Sequence, residues 1–254
     1  MEKKDIILSF DTISVLYDKI RPGYPIQAFE DILHFCNIDY NSIILDVGVG
    51  TGKAIHFFLE NGYKAYCIDI GYNMIEIAKR NLSKYNAEFE LADFESWETK
   101  LKFKLIISGS AFHWINPNIG YNKINSLLLK DGYFVTLKNV HSLENEQLSN
   151  SLKLIYQNII PEWYSINYTS FANEVDDVQV DLYFNTIFRE TYDWKLTYSS
   201  LEYIELIKTF SGHINLNSEI KNNIFKEIHK LIESEYNGAV IIKWQTQLLI
   251  LQNR

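Results

Sequence analysis

The stretch from Ile43 to Met74 constrains this chain more than any other, and it reads IILDVGVGTGKAIHFFLENGYKAYCIDIGYNM. An apolar run ends in Asp46, a glycine-rich turn follows, and an amphipathic segment begins at Lys53. A second apolar run then ends in Asp69. A buried strand, a glycine turn, a helix and a second strand that ends in a carboxylate are typical of one half of a nucleotide-binding α/β fold.

The spacing of the glycines in this turn, Gly48, Gly50 and Gly52, distinguishes between nucleotides. A dinucleotide-binding turn has the pattern G-x-G-x-x-G, which would place its third glycine where this chain has Lys53. Each glycine lacks a Cβ and so allows positive φ and a close approach of the backbone to a ligand. An acid ahead of the turn would repel a pyrophosphate, whereas Asp46 would attract the ammonium group of a sulfonium amino acid. The pattern therefore disfavours a dinucleotide and suits a ligand that carries an ammonium group.

The run D-x-G-x-G-x-G from Asp46 to Gly52 resembles the first motif of class I S-adenosylmethionine-dependent methyltransferases. Asp69 lies about 19 positions beyond Gly50, close to the roughly 20 expected for the acid that hydrogen-bonds the ribose hydroxyls. The alternative for the glycines is a tight turn without a ligand, and for the two acids it is helix capping. The resemblance implies that these residues bind S-adenosylmethionine as cofactor.

A second motif follows directly, because D-I-G-Y-N-M at Asp69–Met74 is similar to the family's D-x-S-x-x-M. The resemblance implies that Met74 packs on one face of the adenine and Ile70 on the other. Gly71 stands where the family usually has Ser, which weakens the cap of the following helix but leaves the binding argument intact.

A third motif, ADFESW at Ala92–Trp97, resembles the family's segment after the third strand. It implies that Asp93 accepts a hydrogen bond from the adenine amino group and that the backbone N–H of Phe94 reaches a ring nitrogen. The alternative for Asp93 is a turn residue.

The segment SGSAFHWIN at Ser108–Asn116 looks like the one that frames the transferable methyl in a subgroup resembling trans-aconitate methyltransferases. His113 is the histidine that this motif places near the methyl, so it is the candidate general base for a hydroxyl or amine acceptor. The alternative is that His113 bonds the backbone or packs beside Trp114. Trp114 is itself a candidate contact of the acceptor.

The same subgroup carries a tyrosine and R-P-G-Y-P near its N-terminus, matched here by Tyr17 and Arg21–Pro25. Arg21 can clamp a carboxylate with two parallel hydrogen bonds, either on the methionine end of the cofactor or on an acidic substrate. We expect the cofactor to be its partner, and a surface ion pair is the alternative. Tyr17 and Tyr24 are expected to line the same entrance, Tyr17 beside the cofactor and Tyr24 beside the substrate.

Strand-like apolar runs recur along the chain with helical segments between them, which predicts a parallel sheet with right-handed crossovers. The predicted strands are Ser42–Val47, Lys64–Ile70, Ala87–Ala92, Lys104–Ser108, Tyr133–Leu137, Phe188–Tyr198 and Ala239–Leu251. The predicted helices between them are Lys53–Glu60, Asn73–Tyr85, Ser200–Phe210 and Ser218–Tyr236. With the resemblance, these elements predict an α/β, Rossmann-like fold. Its seven-stranded sheet is mostly parallel, has helices on both faces and an antiparallel last strand, and carries a helical cap insertion.

We expect one methyltransferase domain over residues 1–254, without an independent second domain. It consists of an N-terminal lid (1–30), a cofactor-binding core (35–140), the cap insertion (141–185) and C-terminal strands and helices (186–254). The cap is rich in aromatic side chains, which either form its core or line an apolar substrate pocket. These aromatic residues are Tyr156, Trp163, Tyr164, Tyr168 and Phe171.

The formal net charge of −8, with acids and bases interspersed, argues against non-specific binding to a nucleic-acid backbone. No apolar run approaches membrane-spanning length and the N-terminus lacks the apolar core of a signal peptide, so we expect a cytoplasmic protein without a membrane partner. Cys36 and Cys67 lie in apolar settings and are predicted to be buried hydrophobes. No zinc-ligand spacing is present, so no metal is expected.

The expected function is methyl transfer from S-adenosylmethionine to a small-molecule acceptor, either a carboxylate or a hydroxyl. One alternative is an RNA methyltransferase, which the lack of a basic stripe disfavours. The other is a non-catalytic protein that binds S-adenosylmethionine for regulation. A NAD(P)-dependent dehydrogenase is disfavoured by Asp46 and Lys53. The sequence leaves open the identity of the acceptor and the oligomeric state.

Overall fold

The computed structural model describes residues 3–161 and 177–254. The strands in these residues are β1 (Ile43–Val47), β2 (Lys64–Asp69), β3 (Ala87–Leu91), β4 (Phe103–Gly109), β5 (Leu128–Leu143), β6 (Phe184–Ser199) and β7 (Ala239–Asn253). They form one seven-stranded sheet in the order β3-β2-β1-β4-β5-β7-β6. The first five strands pair in parallel, and β7 is antiparallel to both β5 and β6. The predicted mostly parallel sheet with an antiparallel last strand is therefore confirmed.

The helices of the described residues are α1 (Lys3–Asp11), α2 (Ser14–Ile20), α3 (Ile26–Phe35), α4 (His56–Glu60), α5 (Tyr72–Asn81), α6 (Pro117–Leu127), α7 (Glu146–Ile159), α8 (Asp177–Tyr183), α9 (Ser200–Lys208), α10 (Ser211–Ile214) and α11 (Ser218–Glu235). A short 3-10 turn spans Phe112–Trp114. No helix in this part of the chain is long and apolar enough to cross a membrane.

Helices cover both faces of the sheet, which explains why its central strands are continuous apolar runs rather than alternating ones. On β1, Ile44 belongs to the apolar cluster that includes residues of α3, α4 and α5. Leu45 and Val47 belong to the cluster on the opposite face, with residues of α6. The side chains of Cys36 and Cys67 are buried, as predicted.

Helix α4 is shorter than predicted, since it begins at His56 instead of Lys53. The cause is the preceding turn, in which Gly52 has a φ of +94° and its N–H bonds the carbonyl of Val49. Regular helix geometry is resumed only after this left-handed residue. Helix α5 also ends before the predicted Tyr85, at Asn81.

Strand residues lie at both ends of the predicted cap, 141–185, because β5 continues to Leu143 and β6 begins at Phe184. Long antiparallel pairing with β7 carries both strands beyond the parallel part of the sheet. Within these limits the structure describes α7 and α8. The cap residues Trp163, Tyr164, Tyr168 and Phe171 lie outside the described residues.

The N-terminal segment consists of α1 and α2, which pack on α5, α9 and α10. The predicted lid of residues 1–30 extends too far, because residues 26–30 begin α3. Ala28 and Phe29 of this helix are buried in the core. The part that lies outside the sheet and its covering helices therefore ends at the turn before Ile26.

Candidate functional site

The glycine turn after β1 lies against the segment that follows β4. Gly48 has a φ of +76°, and its N–H and that of Val49 bond the carbonyl of Ile68 on β2 at 2.9 and 3.0 Å. A Cβ added to Gly48 would lie 2.4 Å from the Cβ of Ala111, closer than real Cβ atoms approach. Only glycine therefore allows this backbone to run beside the end of β4.

Asp46, at the end of β1, is fully buried. Neither of its carboxylate oxygens has a hydrogen-bond partner in the described part of the chain. Burial raises the pKa of Asp46 well above its usual range, and the nearby charge of Asp69 raises it further. A buried carboxyl without donors is unfavourable by itself, so a cationic ligand group would fit this position.

Asp69, at the end of β2, connects the glycine turn to helix α5. One carboxylate oxygen accepts a hydrogen bond from the N–H of Gly50 and the other from the N–H of Gly71, both at 2.8 Å. Burial raises the pKa of Asp69, and these backbone bonds oppose that rise. A carboxylate offers about four acceptor positions, so besides these backbone bonds it can accept from a hydroxyl group of a ligand.

The residues predicted to contact adenine lie beyond Asp69. Met74 and Phe94 are buried, and Ile70 is half-buried. Asp93 accepts from the N–H of Glu95 at 3.1 Å, so it does act as a turn residue. Its other oxygen pairs with the ammonium of Lys4 of α1 at 2.6 Å, a contact that sequence reasoning missed.

The RPGYP turn lies over the end of β4 and beside Asn139 of β5. The hydroxyl of Tyr24 donates to Oγ of Ser110 at 3.1 Å, and Nδ2 of Asn139 donates to the carbonyl of Gly23 at 2.8 Å. Ser110 has a φ of +54°, a left-handed conformation that is uncommon for a non-glycine residue and often found at functional sites. Burial raises the pKa of Tyr24; Asp46 raises it further and Arg21 lowers it. Tyr24 is thus close enough to both Asp46 and Arg21 for their charges to act on its hydroxyl group.

Arg21 is held without an acidic partner among the described residues. Its Nε donates to Oγ1 of Thr209 at 2.7 Å, and Nη2 donates to the carbonyl of the same residue at 2.9 Å. Its guanidinium lies 4.6 Å from the ring centre of Phe210 and 5.5 Å from that of Tyr17. Burial lowers the pKa of Arg21. The alternative of a surface ion pair is therefore not seen, and three N–H groups of the guanidinium remain for an anionic ligand group.

His113 and Trp114 lie in the 3-10 turn after β4, with ring centres 5.0 Å apart. The ring of Trp114 meets that of Phe10 of α1 edge to face at 6.0 Å. The methyl-framing segment is therefore in contact with the N-terminal helices. Whether His113 acts as a base stays a prediction.

These side chains meet at the carboxyl ends of β1, β2 and β4, where open α/β sheets bind their ligands. The motifs had marked the residues on the strand ends. They had not marked Lys4, Asn139 and Thr209, which contact Asp93, Gly23 and Arg21 from other segments. They had also not marked Asp11 of α1, which accepts from the N–H of Met74. A helix start at Gly71 without a capping side chain was the one signal that a partner from elsewhere was needed.

Residues 44–132, from β1 into β5, match a family model described as a methyltransferase domain. These residues form a methyltransferase domain, and the comparisons support a class I S-adenosylmethionine-dependent methyltransferase. The chain is a methyltransferase enzyme, and S-adenosylmethionine is its cofactor.

Individual proteins that are similar to this chain are also named as methyltransferases. A malonyl-[acyl-carrier protein] O-methyltransferase of Acetivibrio thermocellus is 28% identical, with an alignment that covers 94% of this chain and 90% of the relative. A solved structure assigned as a type II methyltransferase, from Anaeromyxobacter dehalogenans, superposes with a TM-score of 0.64 at 14% identity, covering 91% and 97% of the two chains. A phosphoethanolamine N-methyltransferase of Haemonchus contortus, solved with phosphomonomethylethanolamine and S-adenosylhomocysteine, has a TM-score of 0.55 at 15% identity, covering 98% of this chain and 60% of its own. At these identities the two structures show the fold alone.

Proposed function

We propose that this methyltransferase transfers a methyl group to a small-molecule acceptor in the cleft at the ends of β1, β2 and β4. The observation that carries the proposal is the pair of uncompensated charges there. The carboxyl of Asp46 is buried without a donor, and the guanidinium of Arg21 has no acidic partner among the described residues. Asp46 raises the pKa of Tyr24 and Arg21 lowers it, after the larger effect of burial. The amino acid end of S-adenosylmethionine carries one ammonium and one carboxylate, and it would compensate both.

The remaining predicted residues would contact the rest of the cofactor, from its ribose to its adenine. Asp69 would accept hydrogen bonds from the ribose hydroxyls, and Gly48, Gly50 and Gly52 would leave room for the chain of the ligand. Ile70 and Met74 would pack on the adenine, and Asp93 and the backbone of Phe94 would bond its edge. Tyr17 would close the methionine end beside Arg21.

When bound, the cofactor supplies a methyl group on a positively charged sulfur, which is already activated toward displacement. The residues of the chain therefore need to align the acceptor and exclude water rather than generate a reactive group. The glycine turn, the RPGYP turn and the contact between Phe10 and Trp114 would enclose the bound ligand in this way. An ionised carboxylate acceptor needs no base, whereas a hydroxyl or amine would benefit from one.

We further propose that the acceptor atom is an oxygen, of a carboxylate or a hydroxyl. The Acetivibrio thermocellus relative, which spans nearly the whole chain, is named as an O-methyltransferase. Tyr24 and Trp114 are proposed to contact this acceptor.

The test of the function uses ligand-induced stabilisation and then methyl transfer. Saturating S-adenosylmethionine or S-adenosylhomocysteine should raise the melting temperature, and NAD should not. Incubation with methyl-labelled S-adenosylmethionine and a metabolite extract should then label a small molecule. Binding of NAD but of neither sulfur ligand would refute the cofactor assignment. Binding without any label transfer, across extracts, would favour the non-catalytic alternative.

Replacing His113 with Gln should lower turnover of a hydroxyl or amine acceptor by at least about tenfold, because general-base catalysis contributes about a hundredfold or more. Affinity for S-adenosylhomocysteine should be nearly unchanged. Steady-state kinetics and calorimetry measure the two quantities, and His34→Gln, on the exposed face of α3, is the matched control. Near-normal turnover by the His113 variant on such an acceptor would make His113 a packing residue.

The N-terminal segment should become better protected when cofactor is bound. Phe10 packs on Tyr17 and Trp114, and the guanidinium of Arg21 lies over the ring of Tyr17. A ligand beneath these side chains would add contacts that opening of the segment would break. Amide exchange of residues 10–25 should therefore slow on addition of S-adenosylhomocysteine, while α11 serves as an internal control. Equal exchange with and without ligand would show that the segment does not respond.

A further inference from the structure

Helix α5, which carries Met74, begins without a capping side chain of its own. Its N-cap residue is Gly71, with φ −87° and ψ 118°, and this residue makes no side-chain hydrogen bond to the first turn. The first N–H groups of a helix have no partner within the helix and usually take one from a Ser, Thr, Asp or Asn at the N-cap. The partner at α5 must come from elsewhere.

Asp11, the last residue of α1, supplies that partner across 63 positions of the chain. Its Oδ1 accepts from the N–H of Met74 at 2.9 Å, the bond that an N-cap side chain would make. Its Oδ2 accepts from Nδ2 of Asn73 at 2.8 Å. The negative charge also lies at the positive end of the helix dipole.

Gly71 and Asp11 fit together because they use the same space. A Cβ added to Gly71 would lie 2.7 Å from Oδ1 of Asp11, closer than real Cβ atoms come to such neighbours. A capping serine at position 71 and the carboxylate of Asp11 therefore exclude each other. Because glycine replaces the usual serine at position 71, there is space for the carboxylate of Asp11.

The contact joins α1 to α5, and both helices lie beside residues of the proposed cofactor site. Helix α1 pairs with Asp93 through Lys4 and touches Trp114 through Phe10, while α5 presents Met74. The carboxylate of Asp11 is also close enough to Asp69 to raise the pKa of that acid. Asp11 thus lies beside the residues proposed to hold the adenosine part of the cofactor.

We propose that Asp11 is a positioning residue that caps α5 from the N-terminal segment and thereby latches α1 over the adenosine part of the cleft. Its effect on the cofactor rests on the proposed function, but the latch itself exists without ligand. Release of the product S-adenosylhomocysteine then requires that the bond between Asp11 and Met74 be broken.

The latch is tested first without ligand, by amide exchange of purified variants whose folding is checked by circular dichroism. Asp11→Ala should speed exchange at Met74 and across residues 3–20 by about tenfold, the order expected for loss of a cap. Asp11→Asn, which keeps an acceptor oxygen, should stay near the wild-type rates. Glu76→Ala removes an exposed carboxylate from the same helix and serves as the matched control.

A compensating serine separates the two roles of Asp11. In the double variant Asp11→Ala, Gly71→Ser the new side chain should restore slow exchange at Met74, while residues 3–20 remain fast. Gly71→Ser alone should displace Asp11 and give the same fast exchange at residues 3–20.

The second measurement is the rate at which S-adenosylhomocysteine leaves each variant, followed by stopped-flow displacement. Release should be about tenfold faster in Asp11→Ala, in Gly71→Ser and in the double variant, and unchanged in Asp11→Asn.

Wild-type exchange across residues 3–20 in Asp11→Ala would overturn the latch, whatever the cofactor proves to be. Slow release in the double variant would also overturn it, because Asp11 would then act only by stabilising α5. Failure of the wild-type protein to bind S-adenosylhomocysteine would instead refute the proposed function, and the ligand-free exchange rates would still decide the latch.

Discussion

Replacing Asp46 with Asn should stabilise the ligand-free protein and nearly abolish its affinity for S-adenosylhomocysteine. The carboxyl is fully buried without a hydrogen-bond donor in the described part of the chain, so its charged form is unfavourable there. A neutral amide of the same shape removes that charge. In the complex, the same change leaves the ammonium of the ligand buried without its counter-charge, which costs roughly 3–5 kcal/mol. The melting temperature of the ligand-free variant should therefore rise, while the affinity measured by calorimetry should fall.

The pH dependence of the melting temperature is an independent test of whether the carboxyl of Asp46 destabilises the ligand-free fold. The folded-state pKa of Asp46 is raised above its unfolded value, so the folded protein binds the proton more tightly. Its contribution to stability is present below about pH 4, the usual carboxyl pKa, and is lost as the pH rises toward the raised value. The melting temperature of wild type should fall relative to that of Asp46→Asn across this window, and Glu88→Gln, at an exposed strand position, should show no such difference. A variant that is less stable than wild type at neutral pH would mean that Asp46 has a donor in the folded protein.

Replacing Asp69 with Ala should weaken both the fold and the binding of S-adenosylhomocysteine. The carboxylate accepts from the N–H groups of Gly50 and Gly71, so its loss leaves two partly buried donors without partners, at no more than about 1–3 kcal/mol each. Losing the bonds to the ribose should weaken affinity by a further 1.5–3 kcal/mol, on the order of tenfold to more than a hundredfold. Calorimetry of the variant, with melting temperatures as the check on folding, measures both effects.

Asp69→Asn is the matched intermediate for this prediction. It keeps one acceptor oxygen and places an amide N–H₂ against the other backbone donor, so its stability and affinity should fall between those of wild type and Asp69→Ala. Unchanged affinity in a folded Asp69→Ala protein would show that the ribose is held by another acid. Asp11, whose Oδ1 accepts from the N–H of Met74 at the start of α5, is the candidate for that acid.

Much of the fold was predictable because its signals are local. The apolar runs that end in Asp46 and Asp69 became neighbouring parallel strands, with Asp46 paired to Cys67 across them. The glycine turn lies between strand and helix as its spacing required, and Gly48 and Gly52 have the positive φ that only glycine adopts freely. Element ends were less predictable. Helix α4 starts late and β5 runs long because a left-handed glycine and a distant partner strand decide them.

The sequence by itself determined the class of fold, the cofactor and the acids at the strand ends, because each depends on residues within a few positions of one another. Only the tertiary structure decided what surrounds them. Arg21 meets Thr209, and Asp11 meets Met74, across separations of 188 and 63 positions that no periodicity encodes. Such contacts form when helices pack on the sheet and bring distant polar groups together in a dry environment, where each must find a partner. Gly71 is one example, because it leaves helix α5 without a local capping side chain and a carboxylate from α1 takes that role.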